Sequence, residues 1–290
     1  MNLHEIYTPI TAAPFMCGES YIEVPPHEAL RPYIRCFWGS PRPYEQKKAD
    51  RPQQQLIVPD TCMDLIFTAN YTENRIDGGF CGIDDRTFRE ENLQLRTEKT
   101  STFAIRFYAW STVLFAEDSL HDVKNARVDA GCHFSRLKRE LEKEIFDAET
   151  LGERIGIAER WLLAHIREDR ENRLFMETAA QILMGRGVQN MAQLAGELHV
   201  SSRQMERVFR ENMGISPKKF SSLVRYQYLW QDILYRDRFD VQDAVQRYGY
   251  TDQAHLLNDF KRFHSMTPKK AREYARQNVG FLQENSGSLQ

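Results

Sequence analysis

Apolar positions along this chain change their period near the middle. In residues 20–110, short apolar or aromatic runs alternate with turn-forming residues, and Thr102 to Phe107 alternates as a half-buried strand does. The strands predicted here are Tyr33–Trp38, Gln55–Val58, Met63–Phe67, Gly78–Gly82 and Ser101–Phe107. The proline-rich stretch 41–52 predicts a connecting loop, and 73–79 a hairpin or loop. The first part of the chain is therefore predicted to be β-rich.

From residue 130 onward the period becomes helical. Phe134, Leu137, Leu141 and Ile145 form one narrow stripe between charged residues, and a second helix spans Leu151 to Ile166. Such a stripe fits a helix that packs on a partner chain, and equally one that packs on its own β-rich half. The polar run 167–173 is either a linker or an extension of the second helix.

Two similar blocks follow. The first runs from Met191 to Pro217 and the second from Val241 to Pro268. Phe209 and Phe260 are 51 positions apart, and the two prolines are separated by the same 51. Each block has the size and punctuation of a helix-turn-helix unit, and a long amphipathic helix, Phe220 to Tyr235, is predicted between them. A tandem unit of this kind points to double-stranded DNA as the partner.

In the first unit, Ser201 is a suitable N-cap for the second helix, whose buried side is Met205, Val208 and Phe209. The opposite face predicts DNA contact by Ser202, Arg203, Glu206, Arg207 and Arg210. Arginine can reach guanine O6 and N7 or backbone phosphates. The alternative is a solvated helix face on which Arg203 and Arg207 pair with Glu206 and Glu211.

In the second unit, Gly249-Tyr250 makes the turn, Asp252 is the N-cap, and Leu256 and Phe260 point inward. The DNA side is predicted to carry Gln253, Ala254, His255, Leu257, Asn258 and Lys261. Asparagine and glutamine can pair with adenine edges, and histidine can bond a phosphate or a base.

Composition bounds the rest. With 290 residues, of which 41% are hydrophobic, the chain has room for two globular domains. No secretion signal is predicted from the first residues given, and no apolar run approaches the roughly 20 residues of a membrane span. The five cysteines are odd in number and form no CxxC pair, which argues against a disulfide framework or a zinc site and fits a cytoplasmic protein. No cofactor is predicted.

The net charge of −2 hides a split between the two parts. Residues 174–276 contain 16 Lys and Arg against 11 Asp and Glu, whereas residues 1–173 contain 23 against 29. The basic part is the part with the repeat, as expected of a DNA-binding module joined to a module that does not bind DNA.

Residues 175–275 resemble the C-terminal domain of the AraC/XylS family of transcriptional regulators. The residues that carry the resemblance are Ala195, Ser201, Phe209, Gly214-Ile-Ser-Pro217, Arg225, Gly249-Tyr-Thr-Asp-Gln-Ala-His255, Phe260-Lys-Arg-Phe263 and Met266-Thr-Pro268. The chain departs from the usual family pattern at five positions. It has Ala254, Leu256 and Asn258 where the family usually has Ser-x-Phe and Arg. Val245 replaces a usual alanine, and Ser265 replaces a usual glycine. The resemblance implies two linked modules spanning about two turns of DNA, and it leaves the contact at Asn258 altered.

Residues 20–110 are similar to an N-terminal domain of some such regulators, through Leu30–Trp38, Pro59–Phe67 and Ala104–Phe107. This resemblance implies a barrel-like domain that senses an effector, followed by helices for dimerisation or interdomain contact. The aromatic residues Trp38, Phe67, Phe103 and Phe107 are core residues or line an apolar effector pocket. Asp60 and Asp64 fit local backbone hydrogen bonding better than catalysis.

The prediction is an α+β chain: a β-rich, barrel-like N-terminal domain (1–115), a helical dimerisation or linker region (116–173), an all-α tandem helix-turn-helix domain (174–276) and a tail (277–290). The leading hypothesis is a cytoplasmic, sequence-specific transcription factor without enzymatic activity, an activator that contacts DNA and RNA polymerase. Its N-terminal half is expected to regulate this activity either by binding a small-molecule effector or by self-association as a homodimer. The alternatives are an enzyme fused to a DNA-binding domain, such as a DNA-repair cysteine acceptor, and an architectural DNA-binding protein without effector.

Overall fold

The computed structural model describes residues 2–11, 20–49, 53–92 and 94–277. Cys17, the end of the predicted 41–52 loop and residues 278–290 of the predicted tail lie outside these ranges. The strands are β1 (Ile22–Val24), β2 (Ile34–Gly39), β3 (Tyr44–Gln46), β4 (Gln53–Ile57), β5 (Cys62–Asn70), β6 (Arg75–Cys81), β7 (Phe88–Asn92), β8 (Glu98–Tyr108) and β9 (Arg127–Asp129). The helices are α1 (Leu3–Ile6), α2 (Ser135–Asp147), α3 (Leu151–Ala164), α4 (Arg173–Met184), α5 (Met191–Glu197), α6 (Ser202–Met213), α7 (Pro217–Tyr235), α8 (Val241–Arg247), α9 (Gln253–His264) and α10 (Pro268–Gln277).

The described strands form one seven-stranded antiparallel sheet and a separate two-stranded antiparallel sheet. In the described part of the chain, the seven-stranded sheet has the order β1-β2-β8-β5-β6-β9, and β3 also pairs with β8. β4 and β7 pair with each other. The predicted α+β fold, with a β-rich N-terminal part and an all-helical C-terminal part, is confirmed. The sheet continues past the predicted boundary at residue 115, because β9 pairs with β6.

The central strand β8 separates two kinds of side chain. Phe103, Ile105 and Phe107 are fully buried and point to one face, as the alternation predicts. Arg106 points to the other face, where it is also buried and lies opposite Cys36 of β2 and Asp64 of β5. One side of the sheet is therefore apolar, and the other contains a buried charge.

The helical stripe covers the apolar face of its own sheet. Phe134, just before α2, packs on Phe80 and Phe107, with ring centroids 5.0 and 5.9 Å apart. Leu137, Leu141 and Ile145 are each at most 3% exposed. Of the two interpretations of this stripe, packing on the chain's own β-rich half is the one observed, and these four side chains are buried within the chain.

The polar run 167–173 is not a free linker. It contains a short 3-10 helix, Glu168–Arg170, and it is tied to the β-rich half by main-chain contacts. The amide of Arg167 donates to the carbonyl oxygen of Leu114 (3.1 Å), and the Arg170 guanidinium donates to the carbonyls of Ala116 and Asp118. These bonds fix the direction in which the chain enters α4.

The two halves also meet directly. Gln227 of α7 is fully buried, accepts a hydrogen bond from the amide of Ile10 (2.9 Å) and donates to the carbonyl of Pro59 (2.8 Å). Both ends of this side chain are thus satisfied by the N-terminal half. Among the described residues, no helix combines the length and the apolar character that a membrane crossing requires.

Candidate nucleic-acid interface

The first candidate recognition helix, α6, is held by its cap and its apolar side. The hydroxyl of Ser201 accepts a hydrogen bond from the amide of Gln204 (3.1 Å), as an N-cap does. Phe209 is fully buried between Phe175 and Phe220, with centroid distances of 4.9 and 5.9 Å. The amphipathic pattern therefore fixes which side of α6 faces solvent.

The solvent side of α6 carries all five of the predicted contact residues. Each of them is exposed: Ser202, Arg203, Glu206, Arg207 and Arg210. The predicted alternative pairing exists in part, since Arg207 lies 3.5 Å from Glu211 in an exposed i,i+4 pair. Such a pair contributes only about 0.3–0.5 kcal/mol, so a phosphate or a base can readily replace the glutamate. No ion pair is found for Arg203 within the described part of the chain.

The second candidate helix, α9, begins in the same way. Asp252 accepts a hydrogen bond from the amide of His255 (2.7 Å), and Gly249 adopts the left-handed conformation in the turn before it (φ 61°). Five of the predicted contact residues are exposed, namely Gln253, Ala254, His255, Asn258 and Lys261, whereas Leu257 is half-buried. The His255 ring stands edge-on to Tyr250 at 5.2 Å, which restrains its direction.

Two polar residues of α9 are buried, and the sequence pattern did not identify either role. Asp259 accepts hydrogen bonds from Arg225 of α7 and from the Tyr250 hydroxyl, both at 3.1 Å. His264 is fully buried, and its Nδ1 lies 2.7 Å from the Tyr226 hydroxyl. Burial lowers the pKa of His264 to about 3, so the ring is neutral at physiological pH. These contacts attach α9 to α7 and set the direction of its exposed face.

The predicted effector residues divide between the two faces of the sheet. Phe67 and Phe103 stack at 6.4 Å, and Phe107 packs on the helices, so these three belong to the apolar core. Trp38 lies on the other face, where its indole donates to Asp64 (2.8 Å) and the Arg106 guanidinium lies 5.8 Å from its ring centroid. The predicted aromatic pocket is therefore not one site.

Arg106 and three carboxylates form a buried charged cluster around Trp38. The Asp64 carboxylate accepts two hydrogen bonds from Arg106, at 2.9 and 3.0 Å, and Glu23 and Asp60 lie 3.7 and 3.9 Å from the same guanidinium. Asp60 accepts a hydrogen bond from the amide of Cys62 (2.8 Å), but its other oxygen has no hydrogen-bond partner among the described residues. Burial raises the pKa of Asp60 to about 6, although Arg106 opposes the shift. Asp60 and Asp64 thus have electrostatic and backbone roles.

The buried cysteines are poor nucleophiles. Burial raises the pKa values of the Cys36 and Cys62 thiols far above the ordinary value of a cysteine. Burial also raises the pKa of the Cys81 thiol to about 12. Because the thiolate is the reactive form, these three residues give no support to a cysteine acceptor.

Residues 194–274 match the family model described as a helix-turn-helix domain, and residues 22–129 match one described as a domain of unknown function (DUF6597). No curated protein matches the chain at a significant level. The first match covers α6, α7 and α9, and hence both exposed faces described above. The second extends through β9, in agreement with the extent of the sheet.

Several solved structures are similar over part or most of the chain. The C-terminal domain of AraT, a response regulator from Geobacillus stearothermophilus, is 19% identical, with 36% of this chain and 88% of that chain covered and a TM-score of 0.34. ToxT from Vibrio cholerae is 12% identical, with 82% and 98% covered and a TM-score of 0.40. TM-scores this low carry no argument. The assignment of a helix-turn-helix domain therefore rests on the family model that matches residues 194–274.

Proposed function

We propose that α6 and α9 enter successive major-groove segments of one operator. The premise is that this chain is a DNA-binding transcriptional regulator with an AraC-type helix-turn-helix domain. The observation that supports the proposal is the pair of exposed faces on two helices of equal length, each presented by the same central helix α7. Arg203, Arg207 and Arg210 would bind guanines and phosphates from α6. Gln253, Ala254, His255, Asn258 and Lys261 would line the second contact.

The two contacts would differ in kind. Ser202 and Glu206 lie among the three arginines of α6, and a glutamate there would accept from cytosine and disfavour other bases. On α9, amide and imidazole groups predominate. We therefore propose that α6 supplies most of the phosphate attraction and that α9 reads bases with little charge.

The N-terminal half is proposed to regulate this binding, with the functional boundary at the start of α4. The proposed effector site is the charged face of the sheet around Trp38 and Arg106. One Asp60 oxygen there has no hydrogen-bond partner in the described part of the chain, and such a buried charge is costly unless a ligand or a proton completes it. Phe67, Phe103 and Phe107 are not part of this proposal. A protein with these roles works in the cytoplasm, and activation through RNA polymerase is the proposed output.

Selection of duplex DNA by the intact chain tests the proposal. A library of random duplexes is bound, recovered and sequenced, and the expected result is a bipartite consensus with its halves about one helical turn, 34–36 Å, apart. Affinity for the selected site should fall with salt by about 0.9 in log K per phosphate contact for each unit of log salt. Selection of no consensus, with binding that depends on salt alone, would favour the architectural alternative instead.

The effector proposal has a separate test. A small-molecule collection is screened for a rise in the melting temperature of the intact protein, and each hit is repeated on Trp38→Leu. A ligand of the charged face should stabilise the wild type and lose its effect in this variant. Hits whose effect is equal in both proteins would place the effector elsewhere.

A further inference from the structure

Two loops of the N-terminal half reach the last turns of both candidate recognition helices. The first loop, 82–87, follows β6, and the second, 119–126, precedes β9. Among the described residues, no hydrogen bond or ion pair joins either loop to the side chains proposed to bind DNA. Both loops bind main-chain carbonyls in the last turns of the two helices.

The same chemistry occurs at both helices. At the end of α6, the carbonyl of Glu211 accepts the amide of Leu120 (3.0 Å) and the hydroxyl of Ser119 (3.2 Å). At the end of α9, the carbonyl of Phe263 accepts the amide of Thr87 (2.9 Å) and the hydroxyl of the same residue. Carbonyls in the last turn of a helix lack intrahelical partners, so each loop satisfies an otherwise open acceptor.

The two loops are joined into one body. Asp85 and Asn125 exchange two hydrogen bonds, from the Asp85 amide to Asn125 Oδ1 (3.0 Å) and from Asn125 Nδ2 to the Asp85 carboxylate (2.9 Å). The amide of Asn125 also donates to the carbonyl of Ile83 (2.9 Å). A contact at one recognition helix is therefore mechanically connected to the contact at the other.

This body also packs closely on the DNA-binding half between the two helices. Lys219, in the first turn of α7, lies 3.1 Å from Asp85. At the end of α6, a Cβ added to Gly214 would lie 2.7 Å from the carbonyl oxygen of Leu120, so the loop sits directly on the helix end. Leu120 and Val123 are fully buried there.

We infer that loops 82–87 and 119–126 form a clamp that fixes the separation of α6 and α9, so that the N-terminal half determines which half-site spacing the chain reads. This inference rests on the proposed function. Thr87, Ser119 and Asp85 are then specificity-determining residues that touch no DNA. One added base pair moves a half-site by about 3.4 Å and rotates it by about 35°, which a clamped pair of helices cannot follow.

The test begins with the site that the intact wild type selects. Its two half-sites are then separated by one base pair fewer, the selected number, and one more, and binding to each duplex is measured by fluorescence anisotropy. The wild type should lose about tenfold in affinity at either altered spacing, because one helix then forfeits its base contacts. Asp85→Lys/Thr87→Val repels Lys219 and removes the hydroxyl bond at α9, and the expected spacing preference falls to about twofold.

The matched control is Thr72→Val/Asp77→Lys, which makes the same substitutions in the same half away from the clamp: Thr72 binds the amide of Lys99, and Asp77 pairs with Arg75. It should keep the tenfold preference. A folded Asp85→Lys/Thr87→Val that also keeps it would overturn the inference and leave α7 alone to set the spacing. If that variant does not fold, Thr87→Val/Ser119→Ala, which removes only two hydroxyls, is judged by the same criterion. A wild type that selects no bipartite site would instead refute the proposed function.

Discussion

The two helix-turn-helix units have one backbone plan and two different interiors. In each, a seven-residue helix is followed by a residue with positive φ, His199 (54°) or Gly249 (61°), and then by a twelve-residue helix. The amide of Val200 donates to Ala195 and that of Tyr250 to Val245, which closes the two turns alike. Sequence offsets reveal the difference: α5 and α8 begin 50 residues apart, but α6 and α9 begin 51 apart.

The extra residue lies in the second unit, between its hydrogen-bonded turn and the start of α9. The chain therefore enters α9 along a different path from the one by which it enters α6. Along α6 and α9 the equivalent positions then diverge. Val208 and Met213 of the first unit correspond to Asp259 and His264 of the second, and all four are buried. At these two positions, the first unit is thus held by apolar contacts and the second by hydrogen bonds and an ion pair. Two units with the same backbone plan can therefore be destabilised by different conditions.

The largest expected effect is at Asp259. Asp259→Val copies the first unit, but it leaves Arg225 and Tyr250 without their acceptor. Because removing one partner of a buried pair leaves the other uncompensated, we expect a loss of about 3–5 kcal/mol in the free energy of unfolding. Urea unfolding of the intact chain measures it, with Val208→Ala as the control for simple loss of packing at the equivalent position. Equal losses in the two variants would mean that the ion pair is not what holds α9.

The next effect is at the helix ends. Gly214 (φ 79°) and Ser265 (φ 61°) occupy equivalent left-handed caps. Gly214→Ser should cost about 2–3 kcal/mol, because the strain of a side chain in this conformation is added to the contact with Leu120. The reciprocal Ser265→Gly should stabilise the protein by about 0.5–1 kcal/mol. Thermal unfolding of both proteins checks the pair, and a neutral Gly214→Ser would contradict the close seating of the 119–126 loop.

Exchanges on the exposed faces test the proposed division of labour. Ala254 and Asn258 of α9 stand where α6 has Arg203 and Arg207. Arg203→Ala and Arg207→Asn should each weaken binding to the selected operator by about 1–3 kcal/mol if they read bases. If Arg207 binds only phosphate, the salt slope falls by about one contact and the sequence preference stays. Operator affinity that is unchanged in both folded variants would refute the assignment of α6.

Acid should act on the second unit through His264. The folded imidazole stays neutral down to about pH 3, whereas in the unfolded chain it gains a proton near its ordinary pKa of 6.5. Its contribution to stability is therefore present above pH 6.5 and is lost progressively as the pH falls toward 3. Between pH 7 and 5 the loss is about 2 kcal/mol. His264→Met copies Met213 and should remove that slope.

The measurement is the free energy of unfolding in urea for the wild type and for His264→Met, each at pH 7 and pH 5. The predicted effect is the difference between the two proteins. Asp60 has a raised pKa of about 6 and acts in the opposite direction, adding stability as the pH falls through 6. Its contribution is common to both proteins and cancels. Identical pH dependence of the two proteins would show that another group governs the acid response.

Much of the fold follows from local periodicity, and the failures have local causes. The long helix predicted from Phe220 to Tyr235 is confirmed as α7, since its apolar stripe is continuous. The strand β9 is missing from the prediction because all three of its residues, Arg127–Asp129, are exposed and carry no alternation. The loop predicted for 41–52 contains the short edge strand β3, which likewise buries little.

The exposed faces of α6 and α9 were predictable, because the spacing of apolar residues in an amphipathic helix identifies its polar side. Buried charges were not, since their partners are far apart in sequence: Arg106 and Asp64 by 42 residues, Arg225 and Asp259 by 34. The spacing of apolar residues alone assigns such charged residues to the solvent side or to a turn. The clamp was equally invisible, because Thr87 and Ser119 are ordinary polar residues of loops until the tertiary structure places them against helix ends.

The clamp has a consequence for how such a regulator can change over generations. Its main contacts on α6 and α9 are made to the carbonyl oxygens of Glu211 and Phe263, which every amino acid possesses. The outward side chains of both helices can therefore be exchanged without disturbing the attachment of the N-terminal half. On the proposed function, a duplicated gene would acquire a new operator by a few surface substitutions and would keep the original contact between its two halves.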